Sequence, residues 1–237
     1  MEEIQSLLIS SAQEFGITVS AAQSQSFQQY MELLVEWNEK INLTTITEPH
    51  EVAIKHFLDS ILLLKQFQIS DGAKLIDVGT GAGFPGLPLK MMRLNLNLTL
   101  LDGLNKRLIY LQDVLNHLNL SAELVHARAE EAGRQVQYRG RFEFATARAV
   151  APLNLLCEYC LPFLKIGGTF AAMKGPQIGV ELDAAKNAIK FLGCELSNVE
   201  EFTLPGGDGR SLVFITRTKM LPGLYPRHGS KISKDPL

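Results

Sequence analysis

Residues 75–90 read LIDVGTGAGFPGLPLK: an apolar run carrying Asp77, glycines at 79, 81 and 83, then a stretch of helical texture. A short apolar run closed by turn signals reads as a buried strand. Glycine tolerates positive φ and has no Cβ to hold a ligand off the backbone, and the helix that follows opens with unpaired N–H donors. A plain tight turn would use the same residues. In an open α/β sheet, however, the loop after the first strand is the usual ligand cradle, outside the carboxyl ends of the strands.

The chain around this loop has the matching rhythm. From Ala73 on, strands are predicted at 73–78, 97–101, 122–126, 142–147, 168–173, 194–202 and 211–217, and helices at 86–93, 104–118, 152–164 and 178–191. Strand and helix in alternation imply an α/β fold with a parallel sheet covered on both faces. Only TLPGGDGR (203–210) separates the last two strands, so they should form an antiparallel hairpin at the sheet end. The chain before Ala73 reads differently. Ser20 is a plausible N-cap for a helix in which Phe27, Tyr30, Met31, Leu34, Trp37 and Ile41 recur every three or four residues, and Met1–Phe15 and His50–Phe67 also read as helices. The expected division is a helical segment over 1–67 packed on a catalytic domain over 68–237.

Composition sets the outer limits. With 237 residues, 46% of them hydrophobic and 20% charged, the chain suits one large globular domain or one domain with an appendage. The apolar stretch Phe57–Leu64 is interrupted by Asp59 and falls short of the roughly 20 residues that cross a bilayer, so no membrane partner is expected. Met-Glu-Glu-Ile-Gln puts acids where a secretory leader carries bases, and three cysteines make no disulfide framework; both suggest the reducing cytoplasm. Cys157 and Cys160 form a lone C-x-x-C in an apolar run, which reads as buried thiols on a helix and not as a zinc site. Residues 1–60 carry nine acids against two lysines, whereas 217–237 carry five Lys or Arg against one Asp. That asymmetry allows a nucleic-acid partner, though a short basic tail is often only a solvated end.

Residues 81–86, GAGFPG, match G-x-G-x-x-G, so a dinucleotide site has to be weighed. Against it, Asp77 would place a carboxylate beside a pyrophosphate, and Pro85 removes an N–H where phosphate oxygens need donors. A carboxylate suits an ammonium or sulfonium ligand better. The pattern D-x-G-x-G-x-G over 77–83 resembles motif I of S-adenosylmethionine-dependent methyltransferases. Asp102 closes the next strand, LTLLD, where an acid can accept from both hydroxyls of a ribose.

The resemblance extends further. NEKINLTTI (38–46), HFLDS (56–60), LDGLNKR (101–107), ARAEE (127–131), ARAVAPL (147–153), the KG at 174–175 and the tail YPRHGSKISKDPL, together with the glycine loop, resemble the glucose-inhibited division protein B family of ribosomal RNA small subunit methyltransferases G. The resemblance covers nearly the whole chain. It implies a Rossmann-like class I methyltransferase fold: a mostly parallel seven-stranded sheet ending in an antiparallel hairpin, plus the N-terminal helical appendage. It also implies transfer of a methyl group from S-adenosylmethionine to N7 of a guanine in the decoding-region loop of 16S ribosomal RNA. Carried over residue by residue, it places Gly79 and Phe84 against the cofactor, with Gly81 shaping the loop. Asp102 falls on the ribose, Gly103 and Leu104 beside the adenosine, Ala129 and Glu130 at the adenine, and Arg148 where cofactor and base meet. Many members of that family have serine where this chain has Gly103, so the resemblance implies a backbone contact there and no side-chain one.

Guanine N7 presents an in-plane lone pair and no proton, so no catalytic base is required; positioning and a cleft tolerant of a cationic purine are. The sequence agrees in lacking [DN]-P-P-[FY] after the fourth strand and a Pro-Cys nucleophile. Arg148 suits a pocket role, with a salt bridge at the sheet edge as the alternative. Arg128, Lys174 and Arg210 are candidates for RNA phosphates or for guanine O6 and N7, or else scattered surface cations. Asn42 could donate to a base or cap a helix. His56 and Asp59 lie three apart on one helical face and suggest a structural hydrogen bond from the helical segment to the catalytic domain; His126 is also expected to be structural. The resemblance implies 16S RNA or a small-subunit particle as the substrate; no metal and a monomeric state are expected. The rival readings are a dinucleotide-dependent oxidoreductase and a non-enzymatic RNA-binding module on the same fold.

Overall fold

The computed structural model describes residues 2–237, so Met1 lies outside the described residues. Two helices, α1 (Glu2–Glu14) and α2 (Ala21–Ile41), open the chain. Ser20 caps α2 as its sequence suggests: its Oγ accepts from Gln23 N at 3.2 Å while Gln23 Oε1 accepts from Ser20 N at 2.9 Å. The helix stops at Asn42, whose φ of 49° is a left-handed value that asparagine tolerates.

The segment expected to be one helix over 50–67 is a relay. It runs through α3 (Pro49–Val52), a π-helical turn (Ala53–Leu58), α4 (Asp59–Ile61) and a 3-10 turn (Leu62–Lys65). Hydrophobic periodicity does not reveal the π turn here, because residues 52–63 are buried nearly all round and leave no polar face to mark the change of phase.

From Lys74 onward strand and helix alternate as predicted: β1 (Lys74–Val78), α5 (Gly86–Met92), β2 (Asn97–Asp102), α6 (Asn105–His117), β3 (Glu123–His126), α7 (Ala129–Ala132), β4 (Phe142–Arg148), α8 (Leu153–Cys160), β5 (Leu164–Lys174), α9 (Gly179–Phe191), β6 (Cys194–Thr203) and β7 (Gly209–Arg217). Two short helices, α7 and a last one, α10 (Gly229–Lys234), were not among the expected elements. The seven strands lie in the order β3-β2-β1-β4-β5-β7-β6. The pairings among β1 to β5 are parallel, and β7 runs antiparallel between β5 and β6. The hairpin thus sits at the sheet end, with its second strand on the inside.

Strand alternation splits the core in two. In β7, Leu212 and Phe214 face one cluster while Val213 and Ile215 face the other. The first cluster joins sheet residues Leu75, Leu98 and Leu100 to Leu8, Phe27, Leu34 and Phe57, so the N-terminal helices share a core with this face of the sheet. The second holds Leu153, Leu156, Ile189 and, from the tail, Leu221 and Tyr225. Cys157 and Cys160 are buried there as free thiols on α8, and burial pushes their pKa values up. After β3 the chain crosses back to β4 on the far side of β1, which makes the gap above β1 and β4 the switch point where such sheets bind ligands.

Candidate active site

All three loop glycines take positive φ: 70° at Gly79, 60° at Gly81 and 98° at Gly83. At Gly79 a Cβ would come within 2.8 Å of Val150 Cγ2, and at Gly83 it would collide with Tyr30, Leu87 and Leu111. The loop is therefore pinned from both sides, by the chain after β4 and by α2, whose Tyr30 hydroxyl donates to the Ala82 carbonyl.

Asp77 departs from the role its place in the sequence suggests. Its side chain is fully buried beneath the loop: Oδ2 accepts from Thr80 Oγ1 at 2.7 Å and from Gly86 N at 2.9 Å, and Oδ1 accepts from Thr146 Oγ1 at 3.2 Å. Burial raises its pKa to about 6 against those hydrogen bonds. The carboxylate shapes the loop and does not present itself to a ligand, because both its oxygens are held beneath the loop by Thr80, Gly86 and Thr146. Asp102 does border the open space. Its Oδ2 accepts from Gly81 N at 2.9 Å and Arg107 Nη1 stands 3.3 Å away, while Oδ1 accepts only from Leu104 N at 2.8 Å. The tip of β2 is thereby tied to the loop after β1.

Two hollows open here. One, of about 530 Å³, is lined by Val78, Gly79, Leu101, Asp102, Gly103, Ala129, Glu130 and Leu155 among others. The second, of about 510 Å³, is lined by Thr44, His56, Gly81, Phe84, Leu104, Arg107, Arg128 and Arg148 among others. They share Gly79, Asp102, Gly103, Arg128 and Val150. Every residue that the sequence assigns to a cofactor lies on one or both.

Arg148 lines the second hollow and also makes the salt bridge that was its alternative role. Nη1 donates to Asp59 Oδ2 at 3.3 Å and to the Lys55 carbonyl at 3.1 Å, Nη2 donates to His56 Nδ1 at 3.1 Å, and the guanidinium lies 4.7 Å from the centre of the Phe84 ring. Nδ1 also lies 3.2 Å from the Lys55 carbonyl, but Arg148 can only donate and its Nη1 already serves that carbonyl, so Nδ1 accepts and the proton goes to Nε2, which meets Thr44 Oγ1 at 3.0 Å. Burial and the Arg148 charge lower the His56 pKa to about 3, so the ring is neutral. Asp59, 3% exposed, is raised by burial although Arg148 and Arg210 oppose the shift. Thus His56 and Asp59 do tie the helical segment to the sheet, through Arg148.

The other cations divide. Arg128 is exposed on the shared rim of the hollows. Lys174 is only 10% exposed at its side chain, pairing with Glu181 at 2.7 Å and donating to the Ala151 carbonyl, so it braces the loop after β4 and is not displayed to phosphate. Arg210 stands 3.5 Å from Asp59 Oδ1, turned into the charge cluster. Asn42 caps α2 and lines neither hollow. His126 sits with Nε2 3.2 Å from the Gly103 carbonyl. The sequence reading missed Thr44, Arg107, Val150 and three tail residues, Gly229, Ser230 and Ser233. Ala149, at φ 54°, marks the sharp turn that brings Val150 over Gly79, and no glycine or proline at 149 signals it.

Among the described residues, no group of three or more His, Cys, Asp or Glu is placed to hold a metal, and no helix is long and apolar enough to cross a membrane.

A seven-stranded sheet with its penultimate position filled by an antiparallel strand, and a glycine loop at the switch point, define a Rossmann-like class I methyltransferase fold. Solved structures sharing it include TrmN from Thermus thermophilus (TM-score 0.53, 17% identity, 68% of this chain and 48% of that one). Others are TYW2 from M. jannaschii in complex with AdoMet (0.52, 16%, 67% and 76%) and a putative methyltransferase from Bacillus halodurans (0.54, 12%, 68% and 99%). The family model described as GidB, rRNA small subunit methyltransferase G, matches residues 23–212. Proteins named ribosomal RNA small subunit methyltransferase G from Thermoanaerobacter sp. (strain X514) and Alkaliphilus metalliredigens are each 46% identical, covering 98% and 99% of this chain and 97% and 99% of their own lengths. The chain belongs to the rRNA small subunit methyltransferase G family.

Proposed function

We propose that this protein transfers the methyl group of S-adenosylmethionine to N7 of a guanine in the decoding-region loop of 16S ribosomal RNA, acting as a monomer in the cytoplasm on the RNA or a small-subunit particle. The observation that carries the reading is the meeting of two hollows at Gly79. The first has apolar walls from Val78, Leu101 and Leu155, and polar groups from Asp102 and Glu130, which is the chemistry a nucleoside needs. A Cβ at Gly79 would narrow the passage between the hollows. The residues fit S-adenosylmethionine, with Asp102 Oδ1 retaining acceptor capacity for a ribose hydroxyl.

The bound cofactor supplies an electrophilic methyl on sulfur, and the protein's own groups do the rest. N7 of guanine needs no deprotonation, so a site without a free base is adequate. Neutral His56 adds no charge to the second hollow, and Asp59 offsets part of the charge of Arg148 and Arg210 beside it. That lessens the opposition a bare guanidinium would present as positive charge passes from sulfonium to purine. Phe84, buried between His56 at 4.6 Å and Arg148, forms a rigid side of the same hollow. Arg128 is the exposed cation best placed to meet RNA phosphate. We read the helical segment 1–67 as an appendage that completes the second hollow through Thr44 and His56.

The test is transfer of labelled methyl from S-adenosylmethionine to small subunits and to naked 16S RNA, with the modified base mapped. Label on guanine N7 in the decoding-region loop is expected. Label on another atom, or none on either substrate, would overturn the assignment.

A further inference from the structure

The chain after β7 carries a feature that neither the glycine loop nor the arginine cluster explains. It returns across the outside of α8 and ends in α10, whose Gly229, Ser230 and Ser233 line the hollow beside Asp102, Ala129 and Glu130. The approach is close: a Cβ built at Gly229 would meet Glu130 Oε1, the flexible end of that side chain, so the tail backbone lies directly against the carboxylate.

This tail is fastened down at several points. Arg227 makes a two-pronged ion pair with Glu158, which is 1% exposed, through Nε at 2.9 Å and Nη2 at 2.7 Å. Arg134 Nε donates to the Pro226 carbonyl at 2.8 Å, and Arg139 donates to the carbonyls of Tyr225 and Pro222. Ile232 is fully buried beneath α10. Guanidinium groups holding successive carbonyls, with an apolar plug beyond them, make a fixed wall. The wall carries hydroxyls toward the hollow, where Ser233 Oγ is already oriented by the Gly229 carbonyl at 3.0 Å and Ser230 Oγ by His228 Nδ1 at 3.0 Å.

We infer that the C-terminal segment 221–237 forms one side of the adenosine end of the cofactor site, with Gly229, Ser230 and Ser233 as binding residues for the purine nucleoside. The inference rests on the cofactor reading above. A flat purine would be bounded by Glu130 and the serine hydroxyls at its polar edge and by Leu101 and Leu155 at its apolar one. Lys231 and Lys234 lie outside the hollow on the same short helix, so the two kinds of position can be separated by mutation.

The experiment measures dissociation constants of wild type, Ser233→Trp and Lys234→Trp for S-adenosylmethionine, S-adenosylhomocysteine and adenosine, with the unfolding midpoint of each unliganded protein. Ser233→Trp should weaken all three ligands by at least about tenfold with the midpoint unchanged, because its indole occupies nucleoside space; Lys234→Trp should bind like wild type. A wild type that binds S-adenosylmethionine beside a Ser233→Trp variant of equal affinity overturns the inference alone. Weakened S-adenosylhomocysteine with unaltered adenosine overturns the placement at the nucleoside end. A wild type that binds none of the three overturns the cofactor reading and this wall with it.

Discussion

At the amino ends of the strands lies a hollow of about 530 Å³, lined by Lys74, Lys90, Asn97, Thr99, Glu123 and Tyr138, and at their carboxyl ends lies another of the same volume. Size does not separate them; the use of polar groups does. At the amino end, Lys90 spends its ammonium on the Leu94 and Leu96 carbonyls, and Glu123 accepts from Thr99 Oγ1 and Tyr138 Oη. These groups hold neighbouring strands and turns to one another. At the carboxyl end, the loops after β1, β2, β3 and β4 all converge, with positive-φ glycines keeping side chains off the passage and Asp102 keeping acceptor capacity. Parallel strands bring that about, since all their outgoing loops leave from one edge.

The sharpest way to break this contrast uses one glycine from each end of β1. Gly79→Asp introduces a charged side chain where a Cβ alone would meet Val150 at 2.8 Å, and should weaken S-adenosylmethionine by more than about 100-fold in calorimetric titration. Gly72→Asp, at the other end, has φ 77° but its Cβ would find its nearest neighbour at 4.0 Å. It should cost only the left-handed backbone strain of roughly 1 kcal/mol and leave affinity within twofold. Equal effects from the two variants would mean that backbone strain, not occupation of the passage, governs binding.

A smaller effect separates the acids. Asp102→Ala strips the acceptor from the Gly81 and Leu104 amides and should weaken the cofactor about tenfold or more, with roughly 1–3 kcal/mol lost from stability. Glu123→Ala, in the amino-end network, should cost about 1 kcal/mol or less and leave the cofactor constant unchanged. A Glu123→Ala variant that loses cofactor affinity would erase the distinction between the two ends.

The parts of this site legible in sequence are those that backbone conformation dictates. Gly79, Gly81 and Gly83 announce positive φ, and the apolar runs around them announce strands, so the amino-acid order alone places the cradle. Side-chain direction was not legible in the same way. Asp77 sits on the strand leading into a ligand loop yet turns beneath it, and Lys174 closes β5 yet pairs with Glu181 instead of solvent. Both outcomes depend on partners distant in sequence or on which face a strand residue takes. The tail was least legible: residues 229–234 make too short a helix to show periodicity, and its landing place is set by Glu158, Arg134 and Arg139 on other elements.

A last contrast, in stability and not in affinity, comes from titratable groups buried under the carboxyl-end hollows. Asp77 is raised from 3.8 to about 6 in the fold, so the native state holds a proton there that the unfolded chain has released. Its contribution to stability is fully present below pH 3.8 and is lost as pH rises through 6. His56 is lowered from 6.5 to about 3, so its contribution is present above pH 6.5 and is lost as pH falls through 3. Between pH 4 and 6 the two slopes oppose, each limited to about 1.4 kcal/mol per pH unit, so wild type should show a shallow dependence on their account. Asp77→Asn retains an oxygen for Thr80 and Gly86 but cannot titrate, and its unfolding free energy should rise with pH across that window relative to wild type. His56→Gln should fall relative to wild type over the same range, with the Asp77 contribution exposed. Denaturant titrations at half-unit pH steps would read both; parallel curves for the two variants would show that these groups titrate alike in the folded and unfolded chain, and that the carboxyl end is no more desolvated beneath its loops than the amino end.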